Sequence, residues 1–249
     1  MRGSIYMMTS SFDKEHFDII TQNLKVIRDS LAEAAIKSSR SPDDGRLMAV
    51  TKTVCPEYIN HTIKECGIDL IGENKVQEYL SKKDFLDLEH IEKHLIGHLQ
   101  TNKVKKIVGE VDMIQSVDSL HLAQVIAKES LKIGKTTEVL LELNIGSEES
   151  KTGFDKQAFD ESLFQISELE GICVKGLMTI PPVCQTSLEC ERYFQAMADY
   201  FEEVKLKKLN NFDMQILSMG MSGDYKEAVL HGSTLVRIGS AIFGPRIYK

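Results

Sequence analysis

The chain has 249 residues, 42% of them hydrophobic and 27% charged, with a formal net charge of -7. This is enough apolar material for a full core, and ~250 residues suits either one α/β barrel or two small domains. The negative balance argues against nonspecific nucleic-acid binding, and no window approaches the ~18 uninterrupted apolar residues of a bilayer span.

Cys55, Cys66, Cys173, Cys184 and Cys190 form no CxxC pair and no Cys/His cluster. They are expected to be reduced thiols of a cytoplasmic protein, with no disulfide framework and no metal site. Residues 1–11 are expected to be a flexible N-terminus, lacking the apolar stretch of a secretion signal. From Phe12 to Lys37 the residues Phe17, Ile20, Leu24, Ile27, Leu31 and Ala34 recur at spacings of three and four, which predicts an amphipathic helix. Ser10 or Ser11 would cap it, Asp13 and Glu15 suit its positive end, and Ser41-Pro-Asp-Asp-Gly45 would end it.

Leu47-Met-Ala-Val-Thr-Lys52 reads as a buried strand that delivers one amine at its end. Thereafter short apolar strands alternate with helical patterns. Pro56–Cys66 is helical, Asp69–Gly72 a strand, Glu73–Leu86 helical, and His94–Gly97 the third strand. A short basic helix over Asn102–Val108 leads to the strand Met113–Val117, and Ser119 caps a helix bearing Leu122, Ala123, Ile126 and Ala127. Glu138–Asn144 is the fifth strand. Asp155 caps a helix with Phe159, Leu163, Ile166 and Leu169 on one face, and Val174–Met178 follows as a strand. Pro181-Pro182 opens what should be the longest loop. A helix over Leu188–Leu206, a strand Met214–Ser218, a helix over Asp224–Leu230 and a strand Thr234–Gly239 complete the series.

Eight strands joined by helices, without a Pro-, Gly- or Ser-rich linker, predict a single (β/α)8 TIM-type barrel over residues 12–249, with one extra N-terminal helix. An open doubly wound sheet is the alternative, and its dinucleotide version is disfavoured because no Gly-x-Gly-x-x-Gly follows the first strand. In a barrel the C-terminal strand ends share one face. That face would gather Lys52, Glu73, Asn74, His98, Gln100, Asn102, Asn144, Met178, Thr179 and the segment Ser218–Ser222.

Ser218-Met-Gly-Met-Ser-Gly-Asp224 runs straight into a helix, and its glycines, hydroxyls and exposed N–H groups suit an anion. Gly239-Ser-Ala241 has the same character. Loops after strands seven and eight are where barrels commonly hold a phosphate, although two ordinary tight turns would look the same. A lysine facing such a site points to a Schiff base with a phosphorylated carbonyl compound. Arg237, if it points inward, is the neighbouring cation that would lower the amine's pKa. Taken alone, Lys52 could equally be a solvated charge closing a strand, and Arg237 a salt-bridge partner.

Ala49-Val-Thr-Lys52-Thr, Ile71-Gly-Glu-Asn74, Ile96-Gly-His-Leu-Gln-Thr-Asn-Lys103, Asn144-Ile-Gly-Ser-Glu-Glu-Ser-Lys151-Thr-Gly153, Gly176-Leu-Met178, Leu217-Ser-Met-Gly-Met-Ser222 and Val236-Arg-Ile-Gly-Ser-Ala-Ile-Phe-Gly244 occur in this order. Over about Leu47 to Arg246 the chain thereby resembles the pyridoxal 5'-phosphate homeostasis protein family. The resemblance implies a barrel related to the N-terminal domain of alanine racemase and pyridoxal phosphate bound as an internal aldimine on Lys52. It implies a phosphate among Ser218, Met219, Ser222, Gly239 and Ser240, with Arg237 against the pyridine nitrogen. Asn74 and Gly220, inside two of the motifs, complete the candidate cofactor-binding set. Thr51 stands where serine is common and Ser240 where threonine is frequent, and both keep the hydroxyl.

An arginine on the ring nitrogen can only donate, so it would hold that nitrogen unprotonated and weaken the electron sink that catalysis uses. Racemases of related architecture add a second domain, for which the sequence after strand eight leaves no room. The expected function is therefore a cofactor carrier or buffer in intracellular vitamin B6 homeostasis, with no catalytic residue assigned. It would work as a monomer, with pyridoxal-phosphate-dependent apoenzymes as recipients. The alternative is an enzyme with weak racemase- or lyase-like activity, in which Tyr225 or His98 serves as acid or base. A barrel used only for protein interaction is a third reading, disfavoured by the two phosphate-type loops.

Overall fold

The computed structural model describes residues 14–146 and 152–245. Eight parallel strands close in sequence order into a barrel. They are β1 (Arg46–Val50), β2 (Leu70–Glu73), β3 (Glu92–Leu95), β4 (Met113–Val117), β5 (Thr137–Leu143), β6 (Ile172–Thr179), β7 (Phe212–Ser218) and β8 (Leu235–Ile238). The ring shuts where β1 pairs with β8, from Arg46 opposite Leu235 to Ala49 opposite Ile238.

The helices are α1 (Lys14–Lys37), α2 (Pro56–Lys64), α3 (Val76–Lys82), α4 (Val104–Ile107), α5 (Leu120–Lys132), α6 (Lys156–Ser167), α7 (Ser187–Leu206), α8 (Tyr225–Leu230) and α9 (Ser240–Phe243). Ser119 and Asp155 cap α5 and α6 as expected, accepting from the backbone N–H groups of Leu122 and Ala158. The proposed Ser10 or Ser11 cap, Asp13 and the segment 1–11 lie outside the described residues.

Strand alternation divides β1 between two cores. Met48 and Val50 turn into the barrel with Leu70, Ile96 and Leu235. Leu47 and Ala49 turn outward with Val236 and Ile238, where Ile20, Leu24, Ile27 and Leu31 of α1 cover them. The 3.6-residue stripe of α1 is thus what buries the outer face of the β8–β1 closure. Phe17, at the edge of that stripe, packs edge-on against Tyr58 of α2, with ring centroids 5.2 Å apart.

The register of β6 shifts between Val174 and Gly176 against both neighbours. Gly176 has φ +152°, and a Cβ there would stand 1.8 Å from the Ile216 carbonyl oxygen, so the bulge requires glycine.

Four expectations need correction. The third strand lies two residues earlier than its apolar residues indicate. The predicted helix over Glu73–Leu86 starts only at Val76, because Glu73 is the buried last residue of β2. The connection from α1 to β1, residues 38–45, is longer than the 180–186 connection that carries Pro181-Pro182. The cysteines are not all reduced. Cys184 and Cys190 form a disulfide with a Cα–Cα distance of 5.6 Å, because the loop before α7 folds back onto the helix's first turn.

Candidate functional site

The centre of the site is the turn after β1. Thr51 is fully buried, with its N–H bonded to the Gly72 carbonyl at 2.9 Å and its hydroxyl donating to the Glu73 carboxylate. Lys82, buried on α3, donates to the Thr51 carbonyl at 2.7 Å and pairs with Glu73 and Glu78. Glu78 in turn accepts from the Thr53 N–H, which holds Thr53 in the left-handed region at φ +62°. Lys52 is therefore presented between two anchored residues. Burial raises the Glu73 carboxyl above its ordinary range, against the pull of Lys82.

Lys52 is half-buried and lines a cavity of about 210 Å³. Asn74, Ser222, Arg237, Gly239 and Ser240 share that wall, so six of the nine predicted site residues meet around one space. Asn74 is brought in by close packing: a Cβ on Gly97 would sit 2.3 Å from the Asn74 carbonyl oxygen. Its Oδ1 is buried without a hydrogen-bond partner among the described residues. An orphaned acceptor of this kind is uncommon, and here it adjoins the cavity.

The other three predicted residues stand behind the wall. Ser218 is fully buried at the end of β7, between Arg237 and Gln115. The Met219 N–H is spent on the Leu235 carbonyl at 3.2 Å. Gly220, at φ +92°, lets the chain pass Ala228 and accepts from the Arg237 N–H at 3.0 Å. Met221 and Gly223, one and three residues further along, reach the cavity in their place. Sequence reasoning missed these two, and it missed Val50, Ile96 and Ile180, which supply the apolar wall. The inward position of Val50 and Ile96 was available from strand alternation.

The anion-type loops converge as expected. Ser222 Oγ accepts from the N–H groups of Gly239 at 3.4 Å and Ala241 at 3.2 Å, joining the β7 loop to the start of α9. Asp224 steadies the turn by accepting from the Met221 N–H at 2.6 Å. Its carboxyl is raised by burial.

Arg237 points inward. Its guanidinium donates to Ser218 Oγ at 2.8 Å and to the Thr179 carbonyl at 2.9 Å. Burial pulls its pKa down to about 10, with Glu142 and Asp224 opposing that shift through space. It stays protonated at neutral pH and can only donate.

The titratable groups on the cavity wall are Lys52 and Arg237, both cationic types; among the described residues no carboxylate, imidazole, phenol or thiol joins them. His98 is exposed, its Nδ1 lies 3.0 Å from the Asp118 carboxylate, and it does not line the cavity. Tyr225 lines a neighbouring groove with Asn23, Ile27 and Lys226. The arrangement offers an amine, a fixed cation, a cluster of hydroxyl and N–H donors and one open acceptor.

Comparison with known proteins gives a consistent picture. The alanine racemase N-terminal domain family matches residues 17–246. A pyridoxal phosphate homeostasis protein of Aquifex aeolicus is 37% identical over 227 residues, covering 91% of this chain and 98% of that one. PipY of Synechococcus elongatus, solved with pyridoxal phosphate bound, superposes with a TM-score of 0.79 at 30% identity over 90% of this chain and 100% of PipY. An alanine racemase of Clostridium difficile superposes with a TM-score of 0.68 at 16% identity. That match covers 92% of this chain and 56% of the racemase, a likeness of fold alone.

Proposed function

This chain belongs to the pyridoxal phosphate homeostasis protein family, and on that premise we propose that it binds pyridoxal phosphate covalently through Lys52 and holds it as a cellular reservoir. The observation that carries this reading is the cavity wall itself, where an amine and a buried guanidinium meet hydroxyl and N–H donors. The residues fit the group. Lys52 would condense with its aldehyde, releasing water, Ser222, Gly239 and Ser240 would hold its phosphate, and Arg237 would face its ring nitrogen. The orphaned Asn74 Oδ1 would accept from its ring hydroxyl. When bound, the cofactor supplies an electrophilic carbonyl and an electron sink. Arg237 would weaken that sink by donating to the nitrogen rather than protonating it. Retention is favoured over turnover. Operation as a cytoplasmic monomer with apoenzymes as recipients is part of the same proposal.

The test is spectroscopic. Purified protein incubated with pyridoxal phosphate should gain a visible imine band, and borohydride should fix the cofactor on the peptide containing Lys52. Lys52→Ala should lose the fixed adduct while keeping weaker, phosphate-anchored binding. Trapping at the wild-type level in that variant would show that another lysine is the tether. Amino-acid racemisation or elimination at enzyme-like rates would refute the reservoir and favour the catalytic alternative.

A further inference from the structure

The barrel interior below the cavity is not the aliphatic filling usual for this fold. His94, Gln115 and Ser218, all buried, face one another from β3, β4 and β7, surrounded by Met48, Met113, Leu140 and Ile216. They form one continuous chain of hydrogen bonds. Arg237 donates to Ser218 Oγ at 2.8 Å, the Ser218 hydroxyl donates to Gln115 Oε1 at 2.7 Å, and Gln115 Nε2 meets His94 Nδ1 at 2.7 Å. His94 Nε2 then meets the Glu92 carboxylate, which also accepts from Arg46 at the opposite end of the barrel.

The directions follow from the orientation of the Gln115 amide. Arg237 has only donors, so Ser218 accepts from it, and with Gln115 Oε1 on the serine side the hydroxyl proton goes to Gln115. With Oε1 taken, the Gln115 amide nitrogen must be the donor to Nδ1, which leaves the imidazole proton on Nε2, facing Glu92. Every donation runs the same way, from the guanidinium in the cavity wall to a carboxylate at the barrel's far end. The hydrogen bond from His94, with that from Arg46, brings the Glu92 pKa down to about 2, so the terminal acceptor stays ionised.

We propose that Gln115 and His94 are positioning residues that fix the Arg237 guanidinium for the cofactor, an inference that rests on the pyridoxal phosphate reading. Arg237 has no carboxylate directly against it among the described residues. What orients it is the Thr179 carbonyl and a Ser218 lone pair, and Gln115 fixes the rotor of that hydroxyl by taking its proton. The relay extends the site from the cavity through the barrel core, so residues that never reach the ligand govern its binding.

Two variants and two readouts test this. Gln115→Met keeps the volume and removes both links; Gln115→Glu keeps the acceptor for Ser218. In the protein without added cofactor, nitrogen-15 NMR should show the Arg237 guanidinium protons exchanging with water faster in Gln115→Met than in the wild type. Titration with pyridoxal phosphate should give that variant a dissociation constant roughly tenfold higher, the scale expected for loss of an outer-shell partner, with borohydride fixation at Lys52 intact at saturation. Gln115→Glu should recover most of the affinity. Wild-type affinity and wild-type Arg237 exchange in Gln115→Met would overturn the relay. So would equal losses in the two variants, which would mark Gln115 as core filling. If the wild type takes up no pyridoxal phosphate, the parent reading fails, and the NMR comparison alone decides whether the relay holds the guanidinium. Should Gln115→Met fail to fold, Gln115→Glu carries the test, and slackened Arg237 exchange in it overturns the proposal.

Discussion

Two glutamates are buried near the mouth of the barrel, and they are accommodated in different ways. Glu73 ends β2 beside the Lys52 turn; Glu142, in β5, lies across the mouth. Burial raises both carboxyls. Glu73 has a buried counter-charge, Lys82, and a hydroxyl, Thr51, directly against it. Glu142 has the Thr152 hydroxyl at 2.7 Å, while Arg237 and His98 attract it only through space and Asp118 repels it. The first arrangement locks geometry, and what it locks is the backbone on both sides of Lys52. The second holds the carboxyl by one hydroxyl and by charges acting through space, with no cation directly against it among the described residues.

Removing Lys82 breaks this comparison most severely. Lys82→Met leaves Glu73 buried without its cation and releases the Thr51 carbonyl and Glu78, and it should cost ~3–5 kcal/mol of unfolding free energy. Urea denaturation at neutral pH measures it. Glu73→Gln combined with Lys82→Met should recover much of the loss, since a buried pair replaced as a unit is often close to neutral. A single-variant cost below about 1 kcal/mol, the range of exposed pairs, would mean that water reaches Glu73 and the turn is not clamped there.

The same contrast separates what could be read in the sequence from what could not. The strands β4 and β7, the caps Ser119 and Asp155 and the stripe of α1 follow from periodicity and capping chemistry, which are local. β3 does not. Its inward residue is His94, which is held by Glu92 and Gln115, so a search for apolar runs slides two residues along to Leu95 and Ile96. Lys52 and Arg237 were legible because strand ends in a barrel converge. The Lys82–Glu73 clamp was not, because it joins a helix to a strand end through a partnership that only the fold creates. Met219 was placed at the anion site by the family resemblance; its N–H is bonded to the Leu235 carbonyl, and it is Met221 that lines the cavity.

Across the mouth the next effect is smaller. The Cys184–Cys190 disulfide closes a loop with a sequence separation of 6. For so short a loop the chain-entropy model gives about 2 kcal/mol, so Cys190→Ser should destabilise by roughly that amount. Lys52 is clamped from β2 and α3, not from this loop, so pyridoxal phosphate uptake should persist in the variant. Loss of uptake with little change in stability would tie the loop to the site after all.

The smallest effect, and the one that sharpens the comparison furthest, belongs to Glu142. Its carboxyl titrates higher in the folded protein than in the unfolded chain, so between the ordinary glutamate pKa of ~4.3 and its raised value the folded state holds the extra proton. By linkage, its contribution to stability is present below that window and is lost as pH rises through it. Glu92 is shifted the other way, to about 2, so its contribution is full at neutral pH and is lost only as pH falls below the ordinary glutamate range. Glu142→Gln, which keeps a neutral partner for Thr152, should therefore match the wild type near pH 4 and exceed its stability by ~1 kcal/mol at neutral pH, a typical single-site magnitude. Urea midpoints measured from pH 4 to 8 give the two curves. Divergence above the ordinary glutamate range locates an uncompensated charge at Glu142, whereas parallel curves would mean that Thr152 and Arg237 offset its burial.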